Sequence, residues 1–266
     1  MDHAAAVTVG RRPRSFVGVR GPDAEDYLQR MLSNDVAGLA RGGSCDALLL
    51  TPKGRVIAPL TVLRRGDNDF LLLTEPQLGE RVAAELTRMR FAAKAEIAPE
   101  MHDSFLLLGA EEGGIATADY GVPAVEVLDA APPDDVPEID DEELERMRIE
   151  AGTPRYGREI DDRVLPAEAG LVERAVSFSK GCYPGQEPIA RLHYRGHVNR
   201  QLRVLRIEGA ERPEPDAEVR LGDKAVGRVT SLARADGGFV ALAYVRTEVV
   251  ADAELEIGAA RARLVS

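Results

Sequence analysis

One stretch of the chain places a cysteine among glycine and polar residues: Lys180-Gly181-Cys182-Tyr183-Pro184-Gly185-Gln186-Glu187. A cysteine that only fills a core has apolar neighbours, whereas Cys182 has a lysine two residues before it. A thiol in a hydrated loop beside a cation can have a lowered pKa and react. We therefore take Cys182 as the candidate reactive group and Lys180 as the cation that favours its thiolate.

The loop also carries a turn signal. In Tyr183-Pro184-Gly185-Gln186, proline stands at the second position and glycine at the third, where φ must be positive. This order predicts a type II turn directly after the cysteine.

Two histidines follow the loop. A nucleophilic Cys182 would need a base, and His193 is the nearest histidine in sequence, which leaves a cysteine hydrolase as one alternative. His193 and His197 also have metal-ligand spacing for a helix. The residues around them look extended, however, and no acidic partner stands nearby, so we predict no metal site.

Glu150 and Tyr156 are the candidate ligand-binding residues outside the loop. A carboxylate such as Glu150 can accept two parallel N–H bonds from the amino-pyrimidine edge of a pterin. The alternative is that Glu150 is an acidic residue on the exposed surface of a helix. Tyr156 can stack on a flat ligand or fill core, and the sequence leaves both open. Cys45 begins the apolar run to Leu50 and is expected in the core.

Composition limits the function classes. The chain has 266 residues with a formal net charge of −11, which disfavours binding nucleic acid by a diffuse basic surface. Its start lacks a basic region and an apolar region, and no apolar run reaches membrane-spanning length, so we expect a cytoplasmic protein with no membrane association. Two cysteines exclude a disulfide framework. The basic residues of 188–207 can attract a small anion or a short RNA: Arg191, Arg195, Arg200, Arg203 and Arg206.

The elements that must position these residues alternate irregularly. Helices are predicted from Pro22 to about Asn34, over Gln77 to Arg90 and from Asp141 to Ala151, among short strands. This mixture predicts an α+β fold rather than a doubly wound sheet. After Gly196, short strands punctuated by glycine predict a small β-barrel or sandwich, so we divide the chain into domains 1–196 and 197–266.

The motifs resemble those of the YgfZ-type folate-binding proteins, relatives of the glycine-cleavage T-protein (aminomethyltransferase). The loop from Lys180 to Glu187, continued by Ala190 to Gly196, looks like the signature of the YgfZ branch. Arg148-Ile149-Glu150-Ala151-Gly152, running on to Tyr156-Gly157, and the stretch from Leu28 through Asn34-Asp35 to Thr51-Pro52-Lys53-Gly54-Arg55 support the likeness.

This resemblance implies two N-terminal α+β lobes and a C-terminal β-barrel around a central folate cavity. It implies tetrahydrofolate or a one-carbon derivative as ligand, with Glu150 matching the pterin-binding glutamate. It further implies iron–sulfur clients or assembly partners, including tRNA-modifying enzymes, and a role that depends on Cys182. The candidate folate contacts are Glu150, Tyr156, Asn34 and Arg191, and the motif loop contributes Gly181, Tyr183, Gly185, Gln186 and Glu187.

One departure from the T-protein pattern separates the chain from the enzymes. Where the aminomethyltransferases carry an Asp-Asp pair after a glycine turn, this chain has Ala58-Pro59, which can act neither as acid nor as base. We therefore expect no glycine-cleavage activity and favour a folate-binding accessory protein without stable nucleic-acid binding. A folate-dependent one-carbon transferase of another kind remains the main alternative.

Overall fold

The structure is a computed structural model that describes residues 7–265. It is built from short strands and five short helices. In chain order the elements are β1 (Thr8–Gly10), β2 (Ser15–Arg20), α1 (Ala24–Met31), β3 (Ser44–Leu50), β4 (Val56–Gly66), β5 (Asp69–Thr74), α2 (Gly79–Met89), β6 (Glu96–Glu100), β7 (Ser104–Leu108), β8 (Ile115–Thr117), β9 (Ala124–Leu128), α3 (Asp141–Glu150), α4 (Val172–Ala175), α5 (Gln186–Arg195), β10 (Arg200–Glu208), β11 (Glu218–Leu221), β12 (Lys224–Ala235), β13 (Gly238–Arg246), β14 (Leu255–Ile257) and β15 (Ala260–Leu264).

The first lobe is an antiparallel five-stranded sheet in the order β3-β4-β5-β2-β6, covered by α1 and α2. Each helix buries one face because its apolar residues recur at helical spacing. Tyr27, Leu28 and Met31 of α1 share a core with Val82 and Leu86 of α2. The sheet thus supplies a rigid support for the loops at its edge.

The second lobe is a four-stranded sheet in the order β1-β7-β9-β8. The chain crosses between the two lobes at residues 11–14 and again at residues 101–103. In the second crossing, His102 lies with Nε2 at 2.9 Å from Glu100 and Nδ1 at 2.6 Å from Asp129. Burial acts to lower the pKa of His102, but the two carboxylates outweigh it and raise the pKa above its ordinary value.

The third lobe is a closed barrel in the order β10-β13-β12-β11-β14-β15. Its strand β13 is buried on both faces because alternate side chains have different partners. Phe239 and Ala241 point into the barrel core, whereas Val240 and Leu242 pack on Ile149 of α3. Helix α3 therefore joins the barrel to the second lobe.

The α+β class and the C-terminal barrel predicted from sequence are confirmed, with three lobes surrounding a central cavity. The expectation of extended backbone around His193 is wrong: α5 covers Gln186–Arg195, and its buried Ile189 anchors it. Pro188 near the start of this helix and Gly196 directly after it gave the stretch its extended appearance in the sequence. Within residues 7–265, none of the helices combines the length and apolar character needed to cross a bilayer.

Candidate functional site

The cysteine loop is held by close backbone contact with a turn of the first lobe. Gly185 has φ of 84° and ψ of 3°, and the Gln186 amide donates to the Tyr183 carbonyl at 3.2 Å, which confirms the predicted type II turn. A Cβ at Gly185 would lie 2.5 Å from the Thr51 carbonyl oxygen and 3.0 Å from Gly54 Cα. Only glycine therefore allows this loop to dock on the turn that follows β3.

Lys180 fastens the other side of the loop. Its ammonium group donates to the carbonyl oxygens of Leu32 and Asn34 at 2.6 and 2.9 Å, and also to that of Gln29. These carbonyls lie at and beyond the C-terminal end of α1, where backbone acceptors lack helical partners. Burial lowers the pKa of Lys180 to about 8, so the ammonium form still dominates at neutral pH. The structure thus gives Lys180 a backbone-holding role, with its donors directed away from solvent.

Cys182 is exposed at the surface of this fixed loop, whereas Cys45 is half-buried against the core of the first lobe. Burial raises the pKa of the Cys45 thiol to about 12, and the nearby Asp46 adds to the effect. A thiol with so high a pKa is a poor nucleophile at neutral pH. Cys182 is therefore the thiol that a partner or reagent reaches.

His193 has aromatic neighbours rather than a thiol partner. Its ring stacks on Phe178 at a centroid distance of 4.2 Å and meets Tyr194 edge-on at 4.8 Å. In the part of the chain that the structure describes, no hydrogen bond joins His193 to Cys182. A nucleophile and its base need that contact, so the geometry gives the hydrolase alternative no support.

The remaining loop residues divide between core and surface. Tyr183 is buried, and its hydroxyl has no hydrogen-bond partner, while burial raises its pKa to about 12. Gly181 and Glu187 are exposed, and Gln186 opens α5. The Asn34 amide donates to the backbone carbonyls of Asp46 and Arg174, so its side chain ties elements together.

A central cavity lies where the lobes meet, and it has two parts. The inner cavity has a volume of about 40 Å³ and is lined by Arg12, Asp46, Pro59, Glu75, Asp119 and Arg174 among others. The outer cleft has a volume of about 920 Å³ and reaches from Arg12 and Glu75 past α3 to the barrel residues Val229–Leu232. Arg12 and Glu75 line both parts and so stand at the junction between them.

An ion-pair network surrounds the inner cavity. Asp119 accepts from Arg12 Nη1 at 2.5 Å and from Arg174 Nη2 at 2.6 Å, and Arg174 also pairs with Asp46 at 2.9 Å. Burial acts to raise the pKa of Asp119, but the two guanidinium groups outweigh it and lower the pKa well below its usual range. Asp119 is therefore a fixed negative charge inside the protein.

Glu150 lies outside this central cavity. It is on the face of α3 opposite Glu145, in a separate cleft that Arg206 and Arg234 of the barrel also line. One Glu150 oxygen pairs with Arg146 at 2.5 Å and the other faces Arg206 at 3.6 Å. Both oxygens thus already have cationic partners.

Tyr156 is also occupied by protein contacts. Its hydroxyl donates to Asp162 at 2.7 Å and accepts from Arg81 at 2.9 Å, and its ring packs between two cores. Burial and the Asp162 carboxylate raise the pKa of Tyr156. The structure therefore does not bring Glu150, Tyr156, Asn34 and Cys182 together in one pocket.

The basic residues of 188–207 are divided between two elements. Arg191 and Arg195 lie exposed on α5, while Arg200 and Arg206 of β10 pair with Glu168 and Glu150. Across residues 7–265, the His, Cys, Asp and Glu side chains form no group of three or more arranged to hold a metal ion.

Sequence reasoning missed the residues of the central cavity. Arg12, Glu75, Asp119 and Arg174 come from four distant segments, so no spacing links them in the sequence. The buried pair of Arg14 and Glu126 was missed for the same reason. The available signal was weak: single charged residues in connecting segments or, for Arg174, in the short helix α4.

Comparisons with known proteins match the chain in two parts. Residues 15–109 match the GCVT N-terminal domain, and residues 200–266 match the CAF17 C-terminal beta-barrel domain. The chain is 30% identical to the tRNA-modifying protein YgfZ of Edwardsiella ictaluri over 91% of its own length and 85% of that protein. An uncharacterized protein of Haemophilus influenzae is 27% identical, with 84% of this chain and 82% of that protein covered.

The fold matches a solved structure as well. The glycine cleavage system aminomethyltransferase T of Bartonella henselae superposes with a TM-score of 0.83, covering 98% of this chain and 85% of that one. The sequence identity is 20%, so this likeness concerns the fold.

Proposed function

The chain belongs to the YgfZ family, and from that premise we propose that it is a cytosolic, tetrahydrofolate-binding accessory protein for iron–sulfur enzymes, including enzymes that modify tRNA. The observation that carries the proposal is the presentation of Cys182: an exposed thiol on a loop that Gly185 and Lys180 hold against the first lobe. A thiol held in this way can contact a large partner without entering a pocket.

The outer cleft is the folate site in this proposal. Its volume of about 920 Å³ accommodates a molecule of folate size, and three lobes contribute its walls. Arg155, Arg158 and Arg212 line it and offer guanidinium groups to the carboxylates of a glutamate tail. At its inner end, Arg12 Nη2 and a Glu75 oxygen lie 3.6 Å apart without a hydrogen bond to each other, so both can contact the edge of a bound ligand. The residues present therefore fit a folate, whose pterin supplies one-carbon carrier chemistry when bound.

The cavity wall does not favour glycine-cleavage chemistry. Pro59 of β4 lines the inner cavity, and Ala58 beside it is fully buried. Neither side chain can move a proton or carry charge, so this strand contributes shape alone. An accessory role needs the folate as a bound ligand and makes no demand on these two positions.

The thiol part of the proposal is tested in cells that lack the chromosomal copy of the gene. We expect Cys182→Ser to lose support of an iron–sulfur tRNA-modifying enzyme, measured as the modified nucleoside in bulk tRNA, while Cys45→Ser retains it. Both variants remove one sulfur atom, so Cys45→Ser controls for loss of a thiol as such. Normal modification with soluble Cys182→Ser as the sole copy would refute a role for this thiol.

The folate part is tested by calorimetric titration of tetrahydrofolate into wild type and Glu150→Ala. We expect saturable binding to both proteins because Glu150 lies in the separate cleft behind α3. Loss of binding by a folded Glu150→Ala would instead move the pterin to that cleft. Absence of binding to wild type would refute the folate site altogether.

A further inference from the structure

Arg12 is placed where two lobes and both parts of the central cavity meet. It lies in the connection between β1 and β2, and its side chain is 11% exposed. Nη1 donates to Asp119 at 2.5 Å, whereas the buried Nε has no hydrogen-bond partner. Nε has no accessible surface, so Nη2, which lies beside Glu75, is the arginine donor left for a ligand in the cleft.

Glu75 beside it is the matching acceptor. It follows β5, its side chain is 7% exposed, and its oxygen lies 3.6 Å from Arg12 Nη2, too far for a hydrogen bond. Among the residues that the structure describes, none donates a hydrogen bond to this carboxylate. The junction therefore presents one free donor and one free acceptor side by side.

The charges around the junction favour a ligand that brings N–H groups. The network contains two guanidinium groups, Arg12 and Arg174, against three carboxylates, Asp46, Glu75 and Asp119. One negative charge is thus left without a cation of its own. A neutral ligand edge that donates N–H bonds to Glu75 stabilises this charge where water has little access.

We infer that Arg12 and Glu75 together bind the lactam edge of the pterin, with Arg12 Nη2 donating to the ring carbonyl oxygen and Glu75 accepting from the adjacent ring N–H. This inference rests on the proposed folate site. The inner cavity, at about 40 Å³, is too small for the ring, so the ring stays in the outer cleft with its edge at the junction.

The first test uses the wild-type protein and changes the ligand. Tetrahydrofolate is compared by calorimetry with its 4-amino analogue, in which an amino group replaces the carbonyl, at a mildly alkaline pH where the ring is neutral. We expect the analogue to bind at least about tenfold more weakly, because its amino group meets the Arg12 donor without an acceptor. Equal binding of the two ligands overturns the inference and leaves the folate site intact.

The second test changes the protein. We expect Glu75→Gln and Arg12→Gln each to weaken tetrahydrofolate binding by about tenfold or more, and to reduce the preference for the 4-oxo ligand. Arg65→Gln is the control, since Arg65 is an ion-paired arginine of the first lobe outside the cleft. If Arg12→Gln does not fold, Glu75→Gln decides alone. Unchanged affinity in folded Glu75→Gln overturns the inference, whereas no binding by wild type overturns the folate proposal itself.

Discussion

Replacing Gly185 by alanine should release the cysteine loop from the first lobe. A non-glycine residue at φ of 84° costs about 1–2 kcal/mol. The added Cβ would also lie 2.5 Å from the Thr51 carbonyl oxygen, a backbone atom that cannot swing aside. Together these effects predict a loss of about 2–4 kcal/mol and a fall in melting temperature of about 5–10 °C.

Trypsin reports the release of the loop directly. In wild type the Lys180 ammonium group is bound to backbone carbonyls at the end of α1, so the peptide bond after Lys180 should resist cleavage. Gly185→Ala should make this bond an early cleavage site. Gly181→Ala is the control because a Cβ at Gly181 meets nothing within 4 Å. If both variants match wild type in melting temperature and cleavage, the docking argument is wrong.

Three further outcomes follow from single side chains. Tyr183→Phe removes a buried hydroxyl without a partner and should be neutral or stabilising by up to about 1 kcal/mol in urea unfolding; a clear loss would reveal a missed partner. His102 should stabilise the protein fully below the unfolded pKa near 6.5 and lose that contribution as pH rises through its raised folded pKa. His102→Gln should therefore flatten the stability profile across this range, and an unchanged slope would exclude the pairing with Glu100 and Asp129 as its source. Asp140→Ala removes the N-cap that accepts from the amide of Glu143 at 2.8 Å and should cost about 1 kcal/mol, whereas an unaltered unfolding midpoint would count against the cap.

Local features were predictable where a few neighbouring residues determine the backbone conformation. The turn at Tyr183–Gln186 follows from proline and glycine alone, and the glycine-punctuated strands after Gly196 predicted the barrel. The helix over Gln186–Arg195 was missed because Pro188 and Gly196 interrupt its pattern. Pro188 is compatible with a helix there, since a residue in the first turn needs no intrahelical N–H partner.

Long-range placement was not predictable from the same information. Glu150 was expected near a pterin, yet the rotation of α3 places it against Arg206, a residue of the barrel. That rotation is set by packing of Ile149 on β13, which no local pattern in the sequence contains. The grouping of the charged residues in one cavity likewise depends on how the three lobes pack together. Such contacts arise from tertiary packing rather than from local propensity.

The lysine contact has a consequence for biosynthesis. Lys180 and its three carbonyl partners are 146 to 151 residues apart along the chain, so the contact cannot form until most of the polypeptide has left the ribosome. A stalled or truncated product can build the first sheet, but it has no cation to close the end of α1. The thiol is therefore displayed in its final geometry only after early and late segments have met. Under the proposed function, a client that binds this loop would select completed molecules over nascent ones.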